Sequence, residues 1–363
     1  MRKTLIKTVI LVSVAITFLY FMDRAGLLKW SAILSAFRNH PYEILAVAIL
    51  QILTAVVMMI RYGKLLHLFG IDAGWRQVAA ATFVSQALGQ WFPGSLAIIE
   101  VLRVGLMSGA RPSSEAALKN TGQASGLKAR LAIVSLVDRL VGFLGILLAG
   151  FFSCVIVFYR MPDRALSVST GVLALGLFSG LGVVLLLGLP FAVRFPPLVR
   201  ALKMSPKEAH AARAESAGLV RRLVFHAAAV RHDIEAGTRH PLRLLFPIFL
   251  SVSSMLLTSA SLSFAGASLS VDLDFSQIVC VFPMVALAGL LPLGFAGMGG
   301  YQLVLASVFS LFAVPPSFVA SAGVLQSAVL LVVNTLLGLL FVRECLLRFT
   351  TLRAKTQLPT PSP

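Results

Sequence analysis

Six stretches of this chain run almost without charge over lengths that an aqueous fold has no use for: Leu5 to Phe21, Ile44 to Ile60, Leu131 to Phe158, Leu166 to Leu189, Leu244 to Ala267 and Phe318 to Val342. An α-helix rises about 1.5 Å per residue, so about 20 apolar residues cross the ~30 Å hydrocarbon core of a bilayer. Inside that core every backbone polar group must find its partner within the protein, which a helix achieves segment by segment. The expected fold is therefore an all-α polytopic membrane protein with about six full transmembrane helices. Composition agrees, since 58% of the 363 residues are hydrophobic and 12% are charged.

Two further apolar stretches are interrupted. Residues 83–108, FVSQALGQWFPGSLAIIEVLRVGLMS, break at Pro93 and Gly94. Residues 277–312 break at LLPLGFAGMGGYQ, where Pro292, Gly294, Gly297, Gly299 and Gly300 precede Tyr301 and Gln302. Proline removes a backbone donor and glycine permits tight non-helical backbone, which a membrane tolerates only where protein or a polar cavity satisfies the freed groups. Setting Pro93 on Pro292 aligns residues 83–108 with 282–307 and matches seven of twenty-six positions, among them Phe83 with Phe282 and Leu106 with Leu305. The order of span, break and span occurs as residues 44–158 and again as 244–342. This predicts an inverted repeat with two re-entrant segments, an arrangement that in transporters puts the binding site near the midplane.

Basic residues set the orientation. Lysines and arginines in the expected cytoplasmic segments number 24 of the 31, against five in the outer loops, so both termini are predicted to be cytoplasmic in a bacterial-type inner membrane. The largest share, ten, lies in the loop 191–243, in which Leu219, Leu223, Ala227, Val230 and Ile234 recur at helical spacing between arginines. It reads as an amphipathic helix whose Arg213, Arg221, Arg222 and Arg231 contact anionic headgroups, or alternatively as a docking surface for a cytoplasmic biosynthetic enzyme. The rest is read as one transmembrane domain, 1–349, with a short disordered tail, 350–363. The basic start before the first span resembles a signal peptide but has no small-residue cleavage site, so a retained helix is expected.

The formal charge of +17 does not indicate nucleic acid, because no basic segment carries interleaved aromatics or a recognised binding module. Cys154, Cys280 and Cys345 are an odd number set in or beside apolar runs and read as small core residues rather than a disulfide framework. The histidines show no metal-ligand spacing and no P-loop is present, so neither a metal nor a cofactor is expected.

Candidate site residues are the ionisable groups inside the apolar segments. Each costs at least about 2.5 kcal/mol in hydrocarbon and must face a partner, a cavity or a substrate. Glu100 and Arg103, three apart, can pair on one helix face. Asp138 and Arg139 project about 100° apart, so both cannot point at one neighbour.

The motifs MMIRYGKLLHLFG with Arg61, QWFPGSLAIIEVLR, SLVDRLVG and LLPLGFAGMGGYQLVLAS, in this order, resemble the lysylphosphatidylglycerol synthase transmembrane region family of flippase-like integral membrane proteins. The resemblance covers nearly the whole chain. It implies that Glu100, Arg103, Asp138 and Arg139 occupy the family's polar positions and that Gly294 to Gly300 form its second break. Ile99 stands where family members usually have glycine, and Tyr301 and Gln302 stand where they often have Arg-Glu, which moves the expected charge to the first break. Only 21 residues follow Val342, too few for the cytoplasmic synthetase domain of fused members, so lysyl transfer by this chain alone is not expected.

Two functions follow from the sequence. One is a lipid transporter or flippase in which Glu100, Arg103 and Asp138 or Arg139 line a polar groove for a headgroup. The other is a non-transporting component, or an enzyme's partner, in lipid or lipid-linked glycan synthesis. Asp233 and Glu235 are the acids an enzyme in the loop would offer, but HDIEAG has no catalytic spacing.

Overall fold

The computed structural model describes residues 17, 20–21, 23–26, 28–91, 95–107, 111–112, 123–160, 166–192, 242–288, 294–295 and 298–356. Nearly all of the first expected span, together with Pro93, Gly94, Pro292, Gly297 and the loop residues Arg213, Arg221, Arg222 and Arg231, lies outside the described residues. Among those described, five helices are long and apolar enough to cross a membrane. They are α2 (Pro41–Leu68), α5 (Gln123–Arg160), α6 (Leu166–Ala192), α7 (Leu242–Ser268) and α10 (Pro316–Thr356), and they coincide with the second to sixth expected spans. The chain is an all-α polytopic membrane protein.

The burial pattern is that of a protein solvated by lipid. On α6, Leu173, Leu177, Leu181, Val184 and Leu185 point outward while Ser179 is fully buried against the bundle. Such a face would be costly in water and costs nothing against lipid tails. Helix α2 starts with Pro41 in its first turn, where the missing N–H would have no partner anyway, and packs along α7.

Between the long helices lie two pairs of short ones. Helices α3 (Trp75–Gly89) and α4 (Ser95–Met107) make up the first interrupted segment, and α8 (Phe275–Ala288) and α9 (Gly300–Phe309) the second. Fifteen and thirteen residues reach only ~22 and ~20 Å as helix, short of the ~30 Å core. Strand β1 (Ile71–Asp72), just before α3, pairs antiparallel with β2 (Arg111–Pro112), which follows α4, so the two ends of the first segment meet. In the second break, β3 (Gly294–Phe295) pairs with β4 (Met298–Gly299) as a minimal hairpin, and Gly300, Tyr301 and Gln302 open α9. Helix α3 is buried almost all round and packs between α4 and α10.

Both interrupted segments are tied to α10 by side-chain amides. From the first, Gln90 accepts a bond from Asn334 Nδ2 at 3.0 Å and donates to the Leu331 carbonyl at 3.3 Å. From the second, Gln302 donates to Ser327 Oγ at 2.9 Å, and Tyr301 donates to Gln326 Oε1 at 3.1 Å. The anchor points Ser327 and Asn334 lie seven residues apart, ~10 Å along one helix.

Three features differ from the sequence reading. The expected outer loop contains a helix, α1 (Trp30–Asn39), which buries Ile33 and Ala36 and leaves Trp30, Leu34 and Phe37 exposed. Its lead-in is fixed by Lys29, whose N–H donates to Ser321 Oγ at 3.0 Å and whose ammonium lies 3.5 Å from the Phe318 ring centre. Helix α5 begins at Gln123, ahead of the expected span, and α10 continues as helix to Thr356, beyond position 349.

Asp274 caps α8. Partial burial raises the pKa of its carboxyl, but bonds from the Ser276 hydroxyl and from the Gln277 and Ser276 N–H groups, with Arg160 nearby, outweigh that and hold it below the ordinary carboxylate range. A depressed carboxyl contributes stability at pH above its unfolded value of about 3.9, and the contribution is lost as pH falls through the folded value. Asp274→Ala is expected to cost about 1 kcal/mol at pH 7 and to converge with the wild type as pH falls through the lowered value of the folded carboxyl, read as thermal unfolding midpoints in detergent over a descending pH series.

Candidate functional site

Four helices bring their polar residues to one buried point. Helix α2 supplies Arg61 and Tyr62, α4 supplies Glu100 and Arg103, α5 supplies Ser135, Asp138 and Arg139, and α7 supplies Ser251. On α4 the spacing of three sets both charges on one face; on α5, positions 135, 138, 139 and 142 follow the i, i+3, i+4, i+7 stripe of a helix.

Asp138 is the meeting point. Its Oδ1 accepts from Arg61 Nε at 2.8 Å and its Oδ2 from Arg103 Nη1 at 3.3 Å. Arg61 also donates from Nη1 to Ser251 Oγ at 3.1 Å. Glu100 Oε1 accepts from Arg139 Nε at 2.6 Å, with Arg139 Nη2 closing on the same oxygen. Arg103, Asp138 and Arg61 are 1%, 1% and 4% exposed. Glu100 and Arg139 form the open side of the cluster, with side chains 20% and 31% exposed.

Close approach of the helices depends on two glycines of α5. A β-carbon at Gly142 would come within 3.2 Å of the Arg61 guanidinium, and one at Gly145 would lie 2.4 Å from Ser251 Cβ. Glycine at these positions lets the guanidinium and its hydroxyl partner lie flat against α5.

Arg103 differs from the other two arginines. Arg61 and Arg139 each hold one carboxylate at short distance, whereas Arg103 spreads a single nitrogen over both carboxylates, 3.3 and 3.5 Å from the Glu100 oxygens and 3.3 Å from Asp138 Oδ2. Its guanidinium stacks on Tyr62, 4.6 Å from the ring centre, a contact worth ~2 kcal/mol when desolvated. Arg103 Nε is buried without a hydrogen-bond partner among the described residues. The Tyr62 and Ser135 hydroxyls are buried and meet no partner at hydrogen-bonding geometry among the described residues. Three guanidinium groups against two carboxylates leave one excess positive charge. The arrangement is suited to receiving an oxyanion.

All four residues expected at the site, Glu100, Arg103, Asp138 and Arg139, are in the cluster. Asp138 and Arg139 diverge as their geometry requires, Asp138 toward Arg61 and Arg103 and Arg139 toward Glu100, and still share one site because α4 offers two targets. Tyr301 and Gln302 are not among the charged residues; their partners are on α10. The sequence reading put Arg61 at the cytoplasmic end of its span and passed over Tyr62, Ser135 and Ser251. The signal available for Arg61 was its place in a motif of the family resemblance.

The family model described as Lysylphosphatidylglycerol synthase TM region matches residues 5–338. No curated protein and no solved structure matches.

Removing one member of a buried ion pair leaves its partner's charge uncompensated, at a cost of about 3–5 kcal/mol. Asp138→Ala strands two arginines and is expected to lose that much, whereas Glu100→Ala strands only the partly exposed Arg139 and the loosely held Arg103 and should lose clearly less. Thermal unfolding midpoints of the two purified variants, compared with wild type in the same detergent, check the order.

Proposed function

The chain belongs to the lysylphosphatidylglycerol synthase TM region family, and from that premise we propose that it moves a lipid with an anionic headgroup between the leaflets, with Arg103 as the group that receives the headgroup phosphate. The observation that carries this reading is the division of labour among the three arginines. Because Arg139 already neutralises Glu100 and Arg61 already neutralises Asp138, Arg103 can turn to an incoming phosphate without leaving either carboxylate bare. Its free Nε and the Tyr62 and Ser135 hydroxyls are donors, which matches the acceptor-only oxygens of a phosphodiester. Arginine's planar fork suits such a group better than a point charge does.

The surroundings support a route across the membrane. The pairing of β1 with β2 returns the first interrupted segment to the point from which it started, as a re-entrant segment would. Its two helices are each too short to span. The amide ties from Gln90 and Gln302 bring both breaks within about two turns of one another on α10, which favours the inverted repeat with its breaks facing each other near the midplane. In that arrangement the headgroup follows the protein's polar interior while the acyl chains stay in lipid.

The test is reconstitution into vesicles of phosphatidylethanolamine and phosphatidylglycerol carrying a tail-labelled phosphatidylglycerol, with loss of label to an impermeant quencher as the readout. Charge-assisted hydrogen bonds are worth about 1.5–3 kcal/mol, so Arg103→Ala should slow transfer by about tenfold or more, and Arg103→Lys by less. Wild-type protein that transfers no label, or Arg103→Ala protein that transfers it at the wild-type rate, would defeat the reading. Normal insertion of the variants with no transfer by wild type would instead favour a non-transporting role in lipid or lipid-linked glycan synthesis.

A further inference from the structure

Cys154 on α5 and Cys280 on α8 are 126 residues apart in sequence, and their sulfurs lie 2.8 Å apart in the fold. A covalent S–S bond is about 2.05 Å long, so less than 1 Å of sulfur movement separates these two thiols from a bridge. Both are buried, at 3% and 0% exposure. Their neighbours show that the approach belongs to the whole helix interface. Beside Cys154 on α5, Ser153 Oγ donates at 2.6 Å to the carbonyl of Ser276, about one turn before Cys280 on α8. On the other side, a β-carbon at Gly150 would lie 2.2 Å from Pro283, so only glycine there allows α8 to lie this close. Three successive contacts fix the register that sets Cys154 against Cys280.

We propose that Cys154 and Cys280 form an intramolecular disulfide that ties α8, the first arm of the second interrupted segment, to α5, the helix that carries Asp138 and Arg139. Cys154 lies six residues before Arg160, where α5 ends, and Cys280 six residues after Asp274, which caps α8, so the pair sits ~9 Å inside the same end of the bundle. On the orientation that the basic loops predict, this is the non-cytoplasmic end, where disulfides persist.

The oxidant is a disulfide-bearing thiol oxidant of that compartment, acting before α8 closes on α5. One cysteine thiolate attacks the oxidant's disulfide, forms a mixed disulfide and expels one of its sulfurs. The second cysteine thiolate then attacks the protein-side sulfur, forms the Cys154–Cys280 bond and expels the other sulfur. Two S–H bonds are lost from the protein, and the two protons and two electrons leave with the oxidant as a dithiol. Once α8 has packed, burial keeps reductants away from the bridge. Cys345 takes no part: it packs with Ala80 and Val84 in a separate cluster.

The test uses the full chain in its native membrane, denatured in excess N-ethylmaleimide at the moment of lysis and weighed intact. The expected result is one maleimide adduct without reductant and three after reduction, with a peptide joining Cys154 to Cys280 in the unreduced digest. Cys154→Ser should carry two adducts without reductant. Three adducts on the unreduced wild-type chain, or a bridge that uses Cys345, would overturn the proposal, and neither result requires any variant to fold.

Discussion

The carboxylate of Asp138 is the constraint around which the bundle closes. It accepts from Arg61 of α2 and Arg103 of α4 while standing on α5, so three helices meet on one side chain that is almost fully enclosed. Isolated charges at that depth would each cost several kcal/mol, and their mutual attraction repays this only when the geometry is good and the remaining donors find partners. Much of the local architecture serves that condition. Gly142 and Gly145 let Arg61 and Ser251 lie against α5, and Tyr62 supplies a ring face to Arg103. The α3 and α4 pair sits within the bundle, where α4 can bring its two charges to α5.

Because the cluster carries an excess cation, it is a specific environment as well as a structural joint. Two of its arginines are committed, each at less than 3 Å from a carboxylate, and the third is held by longer, shared contacts. An anion that enters competes only for the third. On the proposed function the cluster combines a frame of committed pairs with one adjustable donor, and the partly exposed Glu100 and Arg139 form the side from which a headgroup would approach.

The second to sixth spans could be read from hydropathy because lipid demands long uninterrupted apolar helices, and the two interruptions could be read because Pro93, Gly94 and the Gly294–Gly300 run violate that demand. Glu100 and Arg103 were legible from their spacing. Arg61 was not, because an apolar run that stops at Ile60 reads as a helix end, whereas α2 continues eight residues past Ile60 to Leu68. A charge at the edge of a hydropathy window looks like a boundary until a partner from another helix is seen. Helix α1 escaped notice for a related reason: ten residues with a single apolar stripe are too short to stand out beside membrane spans. The pairing of Cys154 with Cys280 is a property of helix packing across 126 residues and leaves no local trace.

The two interrupted segments use different chemistry, and this asymmetry bears on how the proposed function would work. The first carries charges to the cluster through α4 and is tied to α10 by the amide of Gln90. The second carries no charged residue among its described members from Gly300 to Phe309, and its Tyr301 and Gln302 are spent on Gln326 and Ser327 of α10. Amide and hydroxyl bonds between helices in lipid contribute about 0.6–2 kcal/mol each, enough to position a segment and weak enough to be exchanged. On the proposed function, the first break binds and the second holds its place, and α10 is the common rail on which their separation is set. On that reading, a rail of exchangeable amides would let the breaks shift relative to one another without exposing bare charge, because the charged pairs of the cluster are on α2, α4 and α5.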